Sequence, residues 1–206
     1  CNKYGIVFIY DEITSGFRET IGGYHKKFEV RPDIAVFAKS MANGYAMSCV
    51  MGIKDVMKTA EKSFISSTNW TESIGPTACL ATIEFMEYNK AHELIIDNGK
   101  KIKNIWNKIF NQKNDFNIEI YGIDSLPAFK LSLENSKPLE TIISAELLKH
   151  GILGFQQFKS SASHTELDMS YYESSLEEVL YDVKNKDILL NYPYKFKFNS
   201  FERLTK

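Results

Sequence analysis

A short apolar run that ends on two carboxylates constrains the fold of this chain more than any other feature. Residues 6–10 are Ile-Val-Phe-Ile-Tyr, and such a β-branched and aromatic run is typical of a strand buried on both faces of a parallel sheet. Asp11 and Glu12 follow this run directly. Because ligand sites in open α/β sheets lie beyond the carboxyl ends of strands, we expect Asp11 to lie at a functional site.

A second predicted strand is followed by a lysine. Pro32 and Asp33 precede residues 34–37 (Ile-Ala-Val-Phe), and Lys39 comes two residues after that run. Taken singly, Asp11 could equally cap a helix or lie in a solvated loop, and a lone lysine is most often a surface residue. In combination, the two strand ends would bring an acid and an amine to one crevice, where nucleophilic chemistry becomes feasible.

The charge balance and the cysteine content exclude several classes of function. The 206 residues include 25 Lys and Arg against 26 Asp and Glu, so no charge excess points to nucleic acid or to an anionic membrane. The three cysteines are widely spaced, which fits neither a disulfide framework nor a zinc site. No apolar run approaches the roughly 18 residues of a membrane span. We therefore expect a cytoplasmic protein with no metal, nucleic-acid or membrane partner.

The apolar periodicity changes from strands to helices in the middle of the chain and then alternates. The spacing predicts two successive amphipathic helices over residues 76–109. Further strands are predicted at residues 45–52, 118–121 and 129–133, and further helices at residues 139–150 and 166–183. The His-Thr-Glu sequence at 164–166 fits a helix N-cap better than a metal site. We expect a large α/β domain over residues 1–110 and a small α+β domain over residues 111–206.

The order and spacing of these motifs resemble the class III aminotransferases, fold-type-I enzymes that use pyridoxal phosphate (PLP). The similar segments are Asp-Glu-Ile-Thr-Ser-Gly-Phe-Arg at 11–18, Pro-Asp-Ile at 32–34 and Ala-Lys-Ser-Met-Ala-Asn-Gly-Tyr at 38–45. The similarity continues through residues 66–76 and returns weakly at 164–168 and 200–204. It is strongest to the branch that is similar to glutamate-1-semialdehyde 2,1-aminomutase.

The resemblance implies both a fold and a general activity. The chain would form the C-terminal part of the large domain of an aspartate-aminotransferase-like, PLP-dependent transferase, followed by the small domain. It would work as a homodimer on a small-molecule amino donor and acceptor. Transamination and the isomerisation of an aminomutase both stay open, because the family's substrate contacts come largely from an upstream portion.

The resemblance also assigns the catalytic pair. PLP chemistry needs a lysine for a Schiff base and an acid that faces the ring nitrogen. Lys39 would form the Schiff base and then act as the proton shuttle. Asp11 would bind the pyridine nitrogen and hold it protonated, because a nearby anion favours the charged form.

Four further residues would contact the cofactor by the same resemblance. Ile13 would pack against one face of the ring. Thr14 stands near the position where many relatives have a Gln that contacts the phenolic oxygen, and it is the candidate for that contact. Thr71 would reach the phosphate of the partner subunit's cofactor, with Thr68 as the alternative. The aromatic segment around Trp70 is expected near the pocket.

The family's phosphate-binding turn and the aromatic residue that stacks on the ring are expected before residue 1, which is Cys rather than Met. We therefore expect this chain to be the C-terminal half of a longer enzyme. The alternative function is that of a non-catalytic remnant, or of one piece of a split aminotransferase that needs its upstream half.

Overall fold

The computed structural model describes residues 1–68, 71–113, 116–132, 136–154 and 156–185. Contacts between residues divide the chain into two compact units, Cys1–Ile96 and Asp97–Lys206. The boundary that the sequence predicts at residue 110, between the large and the small domain of the family, stays a prediction. Trp70 and residues 200–204 lie outside the described residues. Within the described ranges, no helix is both long and apolar enough to cross a membrane.

The first unit contains a three-stranded sheet. Its strands lie in the order β1 (Ile9–Glu12), β2 (Ile34–Phe37) and β3 (Cys49–Gly52). β1 and β2 are parallel, with Asp11 opposite Val36 and Glu12 opposite Phe37, whereas β3 is antiparallel to β2. Parallel pairing brings the carboxyl ends of β1 and β2 to one edge of the sheet. The prediction of β2 is confirmed, and β3 occupies the second half of the strand predicted at 45–52.

β1 begins later than the sequence predicts and is less buried. The prediction of a doubly buried strand at residues 6–10 is wrong, because the strand begins at Ile9, whose side chain is 53% exposed. Phe8 bonds mainly to Asp33: its N–H donates to the Asp33 carboxylate at 2.7 Å, and its carbonyl accepts the N–H of Asp33 at 2.8 Å and that of Ile34 at 3.1 Å. β2 begins only after Pro32, which has no N–H for a ladder hydrogen bond.

Helices complete the first unit. Its α-helices are α1 (Lys54–Met57), α2 (Ile74–Asn89) and the beginning of α3 (Ala91–Trp106), and its 3-10 helices are Asn2–Tyr4, Tyr24–Lys27, Lys39–Ala42 and Lys58–Lys62. α2 and α3 confirm the two successive helices predicted from the apolar spacing. Both are long enough to bury one face against a neighbour, which is the main source of helix stability in proteins.

The ends of α2 follow from local chemistry. The Glu72 carboxylate accepts the backbone N–H of Ile74, a group that has no partner within the helix. The helix ends at Lys90, whose left-handed φ of +49° lets its N–H bond back to the last turn. Between these ends, α2 packs against the 3-10 helix Lys39–Ala42, in which Met41 is buried.

The second unit combines helices with a two-stranded sheet. Its elements are the rest of α3, a π-helical segment (Asn107–Lys113), β4 (Ile118–Tyr121), β5 (Ala128–Leu131), α4 (Lys137–Lys149) and α5 (Glu166–Asn185). β4 and β5 form an antiparallel pair. The strands predicted at 118–121 and 129–133 and the helices predicted at 139–150 and 166–183 are therefore confirmed within a few residues.

Aromatic residues form the centre of the second core. The Phe129 ring lies 4.8 Å from Trp106 and 4.9 Å from Phe110, measured between ring centroids. The Trp106 indole N–H donates to the hydroxyl of Tyr172 at 2.7 Å, so its buried polar group is satisfied. The fully buried aliphatic residues around them are Ile102, Ile109, Ile142, Ile143, Leu147, Leu176 and Leu180. Each such side chain contributes about 1.5–3 kcal/mol through burial.

The segment at 164–166 is a helix cap, as predicted. The Thr165 hydroxyl accepts the backbone N–H of Asp168 at 3.2 Å, and the Asp168 carboxylate accepts the backbone N–H of Thr165 at 2.8 Å. This reciprocal pair satisfies two N–H groups at the beginning of α5. The His164 ring accepts the backbone N–H of Ser161 at 3.2 Å, so it is also part of the turn before the helix.

Candidate active site

Lys39 lies just beyond β2 in a strained backbone conformation. Its φ is +52°, in the left-handed region that costs an L-residue roughly 1–2 kcal/mol. Its side chain is exposed, and its Nζ donates a hydrogen bond of 2.7 Å to the hydroxyl of Thr14. Strained residues persist only where the surrounding structure holds them, and they are concentrated at functional sites. Here the strain directs an accessible amine towards the turn that follows β1.

Asp11 lies near the end of the neighbouring strand, on the same edge of the sheet. It is exposed, and one of its carboxylate oxygens accepts the backbone N–H of Ile13 at 3.1 Å. That bond fixes the orientation of the carboxylate relative to the turn. Since β1 and β2 are parallel, the structure brings the ends of the strands that carry Asp11 and Lys39 together, as the sequence predicts.

A tight turn over residues 13–18 follows β1 and contacts the end of β2. The carbonyl oxygen of Glu12 accepts the N–H of Gly16 at 2.9 Å, and the carbonyl oxygen of Thr14 accepts the Arg18 Nε–H at 2.7 Å. Gly16 is in direct contact with β2, because a methyl group there would lie 2.7 Å from the Phe37 ring. The turn therefore presses against the end of β2, two residues before Lys39.

Glu12 is a buried part of the site that the sequence did not identify. It is 2% exposed, and its carboxylate accepts hydrogen bonds from the Ser15 hydroxyl at 2.5 Å and the His25 backbone N–H at 2.8 Å. The His25 ring lies 3.0 Å from the same carboxylate. Burial alone raises the pKa of Glu12, but the hydrogen bonds from Ser15, from the backbone of His25 and Tyr24 and from the His25 ring outweigh it, and the pKa is lowered.

The alternation of side chains along β1 could have predicted that Glu12 is buried. Successive residues of a strand point to opposite faces, so a functional Asp11 on one face predicts that Glu12 lies on the other. The partner could not be predicted, because His25 follows 13 residues later on a separate 3-10 helix. No role was predicted for His25, whereas in the structure its backbone and its ring both contact the Glu12 carboxylate.

The remaining predicted residues are less closely connected to this edge. Ile13 is half-buried, and its backbone, not its side chain, makes the contact with Asp11. Thr68 and Thr71 are exposed in the segment before α2. Their contact with a phosphate stays a prediction. Among the described residues, Asp11 and Lys39 therefore both bond to the turn over residues 13–18, Asp11 at Ile13 and Lys39 at Thr14.

The arrangement can perform nucleophilic chemistry on a carbonyl compound. An exposed lysine amine can attack a carbonyl carbon, and the neighbouring hydroxyl of Thr14 can restrain that amine. An exposed carboxylate on the adjacent strand can stabilise a positive charge. Among the described residues, no group of three or more His, Cys, Asp or Glu side chains is placed to hold a metal ion.

The fold and this edge define a class: α/β proteins in which parallel strands present an acid and a lysine. The family model for aminotransferase class-III matches residues 1–158. The chain therefore belongs to the class III aminotransferase family, which confirms the predicted resemblance.

The relatives by sequence include both aminotransferases and aminomutases. The chain is 31% identical over 189 residues to 3-aminobutyryl-CoA aminotransferase of Cloacimonas acidaminovorans, which covers 89% of the chain and 45% of that protein. It is 26% identical over 197 residues to glutamate-1-semialdehyde 2,1-aminomutase of Sulfurisphaera tokodaii, which covers 87% of the chain and 47% of that protein. The chain thus spans about half the length of these relatives.

Solved structures confirm the fold class. The FumI protein of Sphingopyxis, solved in its PLP internal aldimine form, superposes with a TM-score of 0.83 at 18% identity, over 93% of this chain and 45% of that one. Ornithine aminotransferase from Toxoplasma gondii superposes with a TM-score of 0.78 at 20% identity, over 90% of this chain and 45% of that one. At these identities the likeness concerns the fold.

Proposed function

We propose that the protein transfers amino groups with PLP bound covalently to Lys39. The observation that carries this proposal is the exposed, strained Lys39 at the end of β2, beside the parallel strand that bears Asp11. Family membership supplies the chemical context. PLP, when bound, supplies an electron sink for the substrate carbon that carries the amino group.

The residues at the strand edge fit the cofactor. Lys39 is accessible, so its amine can reach an aldehyde, and afterwards it can hold or move a proton at Nζ. Asp11 offers an exposed carboxylate for the ring nitrogen, whose positive charge it would stabilise. Ile13 would contact the ring, and the exposed hydroxyls of Thr68 and Thr71 are the candidates for the phosphate.

The substrates are a small-molecule amino donor and acceptor. A transaminase and an aminomutase both fit, since the relatives include both activities. The protein would act as a homodimer in the cytoplasm. Support for a dimer comes from the resemblance, in which Thr71 serves the partner subunit's cofactor. Thr71 is exposed, as such a contact requires.

Covalent trapping tests the proposal. The purified protein is mixed with PLP, the visible absorption band is recorded, and borohydride reduction is followed by peptide mapping. We expect the reduced pyridoxyl group on Lys39 and no band in Lys39→Ala. Lys54→Ala is the matched control, because Lys54 is also exposed and also follows a strand, β3. A group mapped to Lys54 or Lys58 would refute the assignment, and the absence of any band would favour the non-catalytic alternative.

A further inference from the structure

We propose that Thr14 is a positioning residue that holds the free amine of Lys39 ready for covalent attachment. The inference rests on the proposed function and deepens it. The observation is the 2.7 Å hydrogen bond from Lys39 Nζ to the Thr14 hydroxyl, which joins two turns 25 residues apart in the sequence.

Thr14 is itself held in place on both sides. Its carbonyl oxygen accepts the Arg18 Nε–H at 2.7 Å. The residue before it, Ile13, donates its N–H to Asp11, and the turn is closed by the bond from Gly16 to the Glu12 carbonyl. With the backbone fixed in this way, the hydroxyl is limited to the few staggered positions that rotation about the Cα–Cβ bond allows.

The backbone of Lys39 is held in place, whereas its side chain is exposed. Its backbone begins the 3-10 helix Lys39–Ala42, in which Met41 and Ala42 are buried, so its Cα cannot shift easily. Its long side chain is exposed, and a lysine side chain carries up to about 2 kcal/mol of rotamer entropy. A hydrogen bond at Nζ, worth about 0.5–1.5 kcal/mol, offsets part of this entropy and favours positions of the amine near Thr14. Holding the amine at the edge of the sheet that carries Asp11 lowers the entropy that must be lost when the amine is oriented for reaction.

A hydroxyl suits this position in both protonation states of the amine. Its oxygen accepts an N–H from the ammonium and equally from the neutral amine, which keeps the lone pair of the neutral amine free for a carbonyl carbon. Valine has nearly the same shape as threonine and lacks this oxygen. Serine keeps the hydroxyl and loses only a methyl group. Thr14→Val and Thr14→Ser therefore form a matched pair.

The experiment separates attachment from binding. Attachment forms a C=N bond between Lys39 Nζ and the aldehyde carbon of PLP, and the aldehyde oxygen leaves as water. For the cofactor-free protein, the rate of this step is followed by the visible band after PLP is mixed in. Non-covalent affinity is measured with 4′-deoxypyridoxine phosphate, which lacks the aldehyde. For Thr14→Val we expect attachment to slow roughly fivefold, the size of one lost hydrogen bond at an exposed site, while analogue affinity changes less than about twofold. Thr14→Ser should attach PLP at the wild-type rate within about twofold.

Several outcomes would overturn the inference. An unchanged attachment rate in Thr14→Val would show that the hydroxyl does not position the amine. A fall in analogue affinity that matches the fall in rate would place Thr14 on the cofactor instead. Thr14→Ala is the second variant if Thr14→Val does not fold, and the same criteria apply to it. Wild-type protein that attaches no PLP at Lys39 would refute the proposed function itself, which a null result for Thr14→Val alone would not.

Discussion

Replacing Lys39 with glycine and with alanine separates the strain of its backbone from the chemistry of its side chain. Both variants lose the amine and its bond to Thr14, so both should lose covalent attachment. They differ in the free-energy cost of holding residue 39 at a φ of +52°. Alanine retains the left-handed penalty of roughly 1–2 kcal/mol, which glycine avoids. Glycine instead pays about 0.5–1 kcal/mol for its greater freedom in the unfolded chain. The net expectation is that Lys39→Gly is the more stable variant by about 0.5–1 kcal/mol.

The assay is urea unfolding of the cofactor-free protein, because a ligand that binds only the folded state would shift the apparent stability. Both variants should show the same dependence on urea concentration and differ in midpoint. At an ordinary helical or extended position the order is reversed, and alanine is favoured by about 0.5–1 kcal/mol. A Lys39→Ala variant as stable as Lys39→Gly, or more stable, would therefore refute the left-handed conformation and the argument that strain marks this residue.

Three further substitutions test the site and the second unit. Asp11→Asn should leave the stability nearly unchanged but slow single-turnover reaction roughly 100-fold, because an amide carries no charge for the ring nitrogen; near-normal rates would remove Asp11 from the mechanism. The pKa of Glu12 is lowered, so the stability it contributes is complete above the ordinary glutamate pKa of about 4.3 and is lost as the pH falls through the lower folded value. Glu12→Gln should lack this part of the acid-side decline in urea unfolding, and parallel pH profiles for the two proteins would contradict it. Gly99→Ala should lower the free energy of unfolding by about 1–3 kcal/mol, because its methyl would overlap the Asp124 carbonyl oxygen, whereas the exposed Asn104→Ala in the same helix should change it by less than about 0.5 kcal/mol. Equal effects of the two alanine substitutions would show that the loop around Asp124 moves aside.

Local signals were sufficient to predict β2 and the place of Lys39. The run at 34–37 is β-branched and aromatic and follows a Pro-Asp pair, which sets where the strand begins. Helix bounds were also predictable, because apolar spacing over 16 residues, as in α2 and α3, averages out single exceptions. β1 was misplaced because its bounds depend on its partner strand: a run of apolar residues cannot form a ladder where β2 has not begun.

The remaining features depend on contacts between distant residues. Nothing in the sequence marks Lys39 as left-handed, since lysine has no preference for that region; the conformation arises where the chain leaves β2 for a buried 3-10 helix. No role was predicted for Glu12, and only its burial and its pairing with His25 show that it is a structural group. Thr14 was predicted as a cofactor contact through the family resemblance, and its bond to Lys39 emerged only from the folded turn.

The bond between Trp106 and Tyr172 provides an optical probe of the second unit. The chain has two tryptophans, so Trp70→Phe would leave Trp106 as the single source of indole fluorescence. Trp106 is fully buried, and its emission should move to longer wavelength when the unit around it opens to water. Burial raises the pKa of Tyr172 to about 12, although the hydrogen bond from Trp106 lowers it, so no quenching tyrosinate forms beside the indole even in mildly alkaline buffers near the ordinary tyrosine pKa of about 10. Circular dichroism follows both units together, and comparing it with this emission would show whether they unfold in one transition or in two.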